Sequence, residues 1–600
     1  MISKENFRKG AISHQEGCRF AVWAPNADEV YVTGSFNSWD KSTHPMQGSP
    51  EGIWTVEVSG ARPGDEYRYR ILTGGEEFYR IDPYARRVTS SVGNGVITAP
   101  LTEEKTATFS PPPHNELVIY ELHIGTFGKE VGQKGPGTLE GAARRLPYLQ
   151  ELGINAIELM PLAEFAGGYS WGYNPSHIFA VESDYGTPED LKAFVDEAHK
   201  LGMAVIKDVV YNHFGPSDLH LWQFDGWSEN GKGGIYFYND WRAATPWGDT
   251  RPDYGRPEVR EYIRDNALMW VQDFGMDGLR FDGSAYIRNV HGHNDDPGSD
   301  LPDGWSLMQW LNEEVVKVKP NAILIAEDLK DNHFLTLSQP EGGAGFRAQW
   351  CAQFVHTIRG ALIQPDDGQR DMHAVHDAIQ KRYHGNAFER VIYTESHDEV
   401  ANGKARLAEE VDPGKASSWA ARKKSTLGAA LAFSSPGIPM LFQGQEFLED
   451  DWFHDQDPID WGKAEQFRGI LAIYKDLIAL RLNCDGITKG LTGQELDVYH
   501  IHPEDKLIAY HRWEKGGPGD SVVVVANLST HPKENYWIGF PSEGEWVVRF
   551  NSDSKVYEQD FGDLGSTSVH AGAGEGDGLP ARGQVNIAGY SALILSQESG

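Results

Sequence analysis

Three carboxyl side chains close apolar, strand-like runs: Asp282 in DGLRFDG, Glu327 in AILIAEDL and Asp398 in RVIYTESHDE. Breaking a glycosidic bond with retention at the anomeric carbon takes two such groups about 5–5.5 Å apart, one to attack and one, held protonated, to release the leaving oxygen. Taken singly, each acid also fits a solvated loop or a helix N-cap. Their joint placement at strand ends, beside His or Arg, favours chemistry. Arg280 stands two residues before Asp282, and strand alternation puts both side chains on one face, where guanidinium and carboxylate can pair. Glu327 must instead stay protonated, which a neighbouring Asp282 charge favours. Asp208, Asn212 and His213 close the run AVIKDVVYNH in the same manner, and His397 precedes Asp398.

Such residues meet only if their strands share one mouth. From 117 onward, LVIYELHI, NAIELMPL, AVIKDVVYNH, DGLRFDG, AILIAEDL, RVIYTESHDE and GIPMLFQGQE alternate with helical stretches such as PEDLKAFVDEAHKLG and PEVREYIRDNALMWVQDFG. With an eighth strand near GFRAQWCAQF, this predicts an α/β fold, a (β/α)8 TIM barrel whose active site lies at the C-terminal strand ends. The Gly-rich fingerprints of nucleotide folds are missing from the strand-to-helix turns.

Upstream, GCRFAVWAPNADEVYVTGS, FNSWD and GIWTVEV predict an N-terminal β-sandwich over 1–110, closed by the proline-stiffened PPPHNE. Residues 111–490 are assigned to the barrel, with a polar, Gly-rich excursion at 214–256 bordering the mouth. The runs LDVYHIH, KLIAYHRW, DSVVVVANLS, EWVVRF and ALILS predict a C-terminal all-β domain over 491–600. Trp23 and Trp39 in the sandwich, and Trp222, Trp227, Trp241 and Trp247 in the excursion, are candidate sugar-stacking surfaces or packing.

A formal charge of -33 repels phosphate backbones and anionic lipid, so a neutral substrate is expected and neither nucleic acid nor a membrane is a partner. No run of about 18 apolar residues is present. The start, MISKENFRKGAISHQEG, lacks an apolar segment after its basic residues, which predicts a cytoplasmic protein. Cys18, Cys351 and Cys484 are far apart and without ligand spacing, so they read as buried thiols. No cofactor is expected, and no metal ligand is assigned, since no stretch forms a dense oxygen-ligand loop of its own.

These segments resemble the four signature regions of the α-amylase superfamily. DVVYNH carries the first, with Asp208 and His213; GLRFDGSAY the second, with Arg280 and Asp282; IAED the third, with Glu327; and ESHDE the fourth, with His397 and Asp398. The resemblance implies that Asp282 is the nucleophile, Glu327 the general acid/base and Asp398 a grip on substrate hydroxyls. It implies that His213 and His397 donate to hydroxyls of the cleaved sugar, and that Tyr173 in SWGYNPSH stacks on it, unless Tyr173 or Trp171 fills core. FAVWAPNADEVYVTGSFNSWD is similar to the glycogen-binding-type sandwich of branching and debranching enzymes and trehalohydrolases. RFDGSAY, IAED and ESHDEVANGK look most like branching enzymes, which cleave α-1,4 bonds of glycogen, starch or maltooligosaccharides and transfer the chain to a 6-hydroxyl. YELHIGTF and DVVYNHFGPSD look as much like the trehalohydrolase or amylase hydrolases. A non-catalytic glucan-binding homologue is the alternative of another class, and the intact acids argue against it.

Overall fold

The computed structural model describes residues 9–101 and 109–598, so the first eight residues of the N-terminal segment read above for targeting lie outside it. In the segment EYRYRILT, Tyr67, Tyr69 and Ile71 point inward while Arg68 and Arg70 point out, the period of a half-buried strand. That strand, Glu66–Thr73, pairs with Glu29–Gly34, Glu76–Arg80 and Gly95–Val96. A second antiparallel sheet joins Gly10–His14, Gly17–Trp23, Ile53–Ser59 and Gln47–Gly48. Phe20, Val22, Val30, Val32, Tyr67 and Ile71 are buried where the two sheets meet.

Eight parallel strands then close a barrel: β1 (Ile119–Leu122), β2 (Ala156–Leu159), β3 (Ala204–Val209), β4 (Gly278–Phe281), β5 (Ile323–Ala326), β6 (Ala348–Trp350), β7 (Arg390–Ile392) and β8 (Ile438–Phe442). β8 returns to β1 with Met440 opposite Ile119, and the eighth strand expected near GFRAQWCAQF is β6. Every residue of these strands is buried, because helices cover the outside and packed side chains fill the inside. The covering helix Pro188–Lys200 starts on a Thr187/Asp190 capping box with Pro at its first turn. Helix Pro257–Gln272 likewise starts on proline, and the chain turns at Gly275 with φ +81°.

From Glu495 an eight-stranded antiparallel sheet buries Val523, Val525, Phe540, Trp546, Leu593 and Leu595. It is fixed to the barrel by the buried Arg512, which donates to the Ser434 carbonyl at 2.8 Å, and by a buried Lys423–Asp553 ion pair at 2.7 Å.

Two expectations change. The excursion 214–256 is not merely a polar border: Phe214, Phe224, Tyr236, Phe237 and Tyr254 are buried within it. It bridges barrel and sandwich, since Asn26 donates to Asp225 at 2.9 Å and Arg80 to the Phe224 carbonyl at 2.9 Å. Trp23 is 5% exposed and meets Tyr236 edge-on at 5.4 Å, so it is interface packing, whereas Trp39 stays exposed. Trp23→Ala should therefore cost about 3 kcal/mol or more in chemical denaturation, while Trp39→Ala stays within about 0.5 kcal/mol. Equal effects of the two substitutions would contradict this placement. Of the cysteines, Cys18 and Cys351 are buried but Cys484 is exposed, at the end of helix Arg468–Arg481 where the chain leaves the barrel.

Candidate active site

The site is organised around one guanidinium. Arg280 on β4 is fully buried, and its Nη1 lies 2.9 Å from Asp208 Oδ2 and 3.1 Å from Asp282 Oδ1. Its Nη2 is 3.9 Å from Glu327 Oε2, and the Trp350 ring of β6 lies 4.2 Å away beneath the cation. The register explains this gathering: Asp208 of β3 sits opposite Arg280 of β4, and Asp282 and Glu327 stand just past the ends of β4 and β5, after the paired Phe281 and Ala326. A charge this deep is tolerable only with several partners, which the carboxylates supply.

Asp282 is held from both sides. Its Oδ1 accepts from Arg280, and its Oδ2 accepts from Asn212 Nδ2 at 2.7 Å. The next residue, Gly283, has φ +50°, and a Cβ there would fall 2.8 Å from that Asn212 amide nitrogen. Glycine is thus required for the turn that lets the Gly283 N–H reach Glu327 Oε2 at 2.6 Å. One short turn therefore ties the two acids together. Burial pushes the Glu327 carboxyl up to about 8 against the Arg280 charge, with Asp282 and Asp398 adding to the rise.

Asp398 is the more open acid, 42% exposed at its side chain, with Oδ2 3.6 Å from His397 Nε2. His397 is fixed from below by Glu121 of β1, whose Oε1 lies 2.5 Å from Nδ1 and whose Oε2 accepts the His397 backbone N–H at 3.1 Å. Burial opposes the His397 charge, yet Asp398 and Glu121 outweigh it and raise the imidazole to about 9. Its Nε2 is left facing the mouth beside Asp398. Tyr173 stacks on the His397 ring at 5.0 Å and donates to Asp208 at 2.6 Å.

Tyr173, Asp208, His213, Arg280, Asp282, Glu327, His397 and Asp398 all lie in this cluster, but Asp208 and His213, both expected to bind substrate, face protein groups instead. Both ring nitrogens of His213 face protein oxygens, Nε2 the Tyr173 carbonyl at 2.8 Å and Nδ1 the Asn212 Oδ1 at 2.5 Å, so neither is open to a sugar hydroxyl. Burial lowers its pKa to about 4, so the neutral ring donates from one nitrogen only, to one of these two oxygens. Asp208 is buried under Arg280 and Tyr173 and supports them from below.

Sequence reasoning missed Glu121, Trp350 and Glu158. Glu158 of β2 is buried with no hydrogen-bond partner on either carboxyl oxygen, and burial raises its pKa well above the usual range. The available signal was an acid inside an apolar run, Glu121 in LVIYELHI and Glu158 in NAIELMPL. Such an acid must serve a buried cation or stay neutral.

Comparison with known proteins covers nearly the whole chain. Residues 9–85 match carbohydrate-binding module 48 (isoamylase N-terminal domain), 84–252 and 222–475 match the alpha amylase catalytic domain, and 499–598 match the alpha amylase C-terminal all-beta domain. A 1,4-alpha-glucan branching enzyme of Salinibacter ruber is 32% identical over 98% of this chain and 96% of its own length. One of Oceanobacillus iheyensis is 30% identical over 90% of this chain and 87% of its own. Among solved structures, a pullulanase from Anoxybacillus sp. LM18-11 complexed with maltotriose superposes with a TM-score of 0.77 at 22% identity, covering 98% of this chain and 85% of that one. That likeness extends to the fold.

Proposed function

The chain belongs to the α-amylase family, and from that premise we propose that it is a 1,4-α-glucan branching enzyme working by double displacement. Asp282 attacks the anomeric carbon of an α-1,4-linked glucan while Glu327 gives its proton to the departing 4-oxygen. The retained chain is then an ester on Asp282. Glu327, now a carboxylate, takes the proton from a 6-hydroxyl whose oxygen displaces Asp282 and restores the α-configuration. Asp398 and the cationic His397 grip hydroxyls of the sugar being cleaved, Tyr173 gives it a stacking face, and Arg280 with Asn212 fixes the nucleophile. His213 and Asp208 act through their neighbours, by holding Asn212, Tyr173 and Arg280. Residues 1–110, 111–490 and 491–600 are the corresponding sandwich, barrel and C-terminal units, and a cytoplasmic location suits glucan storage chemistry.

The observation that carries the chemistry is the pair of acids on one buried guanidinium, one gripped by two donors and the other raised by burial to about 8. Transfer to a 6-hydroxyl is supported by branching enzymes that align from the N-terminal module through the last sheet. With amylose, iodine absorbance should fall with almost no new reducing ends, and an α-1,6-specific debranching enzyme should then release short chains. Reducing ends rising in step with the iodine loss would mean hydrolysis instead, and free trehalose from maltooligosyl-trehalose would mean a trehalohydrolase.

A further inference from the structure

We propose that Trp247, backed by His213 and Tyr286, is a sugar-stacking platform for the incoming acceptor glucan. The proposal rests on the transfer reading above and says which residue receives the second chain. Of the four tryptophans in the excursion, Trp222 and Trp227 pack against the core, whereas Trp241 and Trp247 are 55% and 43% exposed. Only Trp247 touches the site. Its ring stacks on His213 at 4.4 Å and 14° and meets Tyr286 edge-on at 5.1 Å. His213 in turn faces the Asn212 side chain that holds Asp282, so the platform stands one ring and one amide from the nucleophile.

Its side of the mouth is set by the acid. Tyr286 lies on the short helix Ser284–Arg288, whose Ser284 donates N–H and Oγ–H to the Glu327 carbonyl at 2.8 and 3.0 Å. Glu327 protonates the leaving oxygen and later deprotonates the acceptor, so by microscopic reversibility the acceptor enters where the first leaving group departed. Tyr173, His397 and Asp398 come from the loops after β2 and β7, and the platform adjoins them, since His213 Nε2 lies 2.8 Å from the Tyr173 carbonyl.

The platform is also rigid before any sugar arrives. Trp247 sits in a turn closed by Thr245 N–H to the Gly248 carbonyl at 2.8 Å, and Gly248 adopts φ +139°. Arg251, fully buried, clamps this turn to the helix: it donates to the carbonyls of Arg242 and Ala244 on the excursion and of Tyr286 and Val290 beyond the nucleophile. A preformed aromatic face captures a pyranose ring at little ordering cost, and an acceptor so held competes with water for the ester.

The test uses α-maltosyl fluoride as donor and maltotriose as acceptor, with transfer product counted whatever its linkage. Trp247→Ala should raise the acceptor KM about tenfold while the donor KM moves less than about twofold, and Trp247→Phe, which keeps a ring face, should recover to within about threefold. An unchanged acceptor KM overturns the proposal, and so do donor and acceptor KM values that rise together. The linkage made by the unsubstituted protein is read separately: α-1,4 product would end the branching reading while leaving the Trp247 result to stand on its own.

Discussion

Asp282→Asn should lower turnover of amylose and glycogen by about 10⁵-fold, because no other group near the anomeric carbon can form the ester. The fold should survive the exchange for a reason visible in the contacts. An amide at 282 presents one oxygen and one N–H₂ where the carboxylate presented two acceptors, and its nitrogen would face the Asn212 nitrogen. Asn212 can turn its amide over, offering oxygen to residue 282 and nitrogen to His213, at the loss of its N–H to the main-chain carbonyl of residue 282 at 2.8 Å, which costs about 1–2 kcal/mol. Arg280 keeps Asp208 as a full charge partner at 2.9 Å. The melting midpoint should therefore shift by no more than a few degrees, with branching assayed by iodine and debranched chain count. Residual activity above a few per cent of the unsubstituted protein would remove Asp282 from the nucleophile's role.

The barrel was legible because its strands are short apolar runs ending in polar residues, and all eight lie where that texture placed them. Parallel strands covered on both faces carry this signature within their own sequence. The C-terminal hairpin Val569–Gly576 and Leu579–Ile587 was not legible: AGAGEGDGLPARGQ reads as turn, and its pairing depends on the neighbouring strand Lys533–Phe540. The excursion failed for a related reason. Tyr236 is buried against Trp23, more than two hundred residues earlier, and no local pattern announces a partner so distant. At the site, Asp282, Glu327 and Asp398 were readable from strand ends and motif. Trp350 and Glu121 were not, because their roles exist only through Arg280 and His397, which reach them across the barrel.

Glu327→Gln separates acid chemistry from binding more sharply than any other substitution here. The amide can still accept the Gly283 N–H through its oxygen, so the turn joining β4 to the acid should persist. On amylose the variant should lose about 10³–10⁴-fold, since the 4-oxygen must then leave without a proton. α-Maltosyl fluoride needs no such help, and ester formation from it should continue, releasing one equivalent of fluoride per protein in a burst. Decay of that ester would then be slow, because no base remains to activate a hydroxyl, and azide, which carries no proton to remove, should restore steady turnover as maltosyl azide. The unsubstituted protein should show the same division in its pH profile. Glu327 acts as the acid only while protonated, so with its pKa raised to about 8, activity on amylose is present below that value and falls as pH rises through it. His397 keeps its charge until about 9, so the first alkaline loss belongs to Glu327. First-turnover fluoride release from α-maltosyl fluoride, which bypasses the acid, should show no loss near pH 8. First-turnover release that falls with the same limb, or a Glu327→Gln protein equally dead on both substrates, would mean that this carboxyl positions the sugar and does not donate the proton.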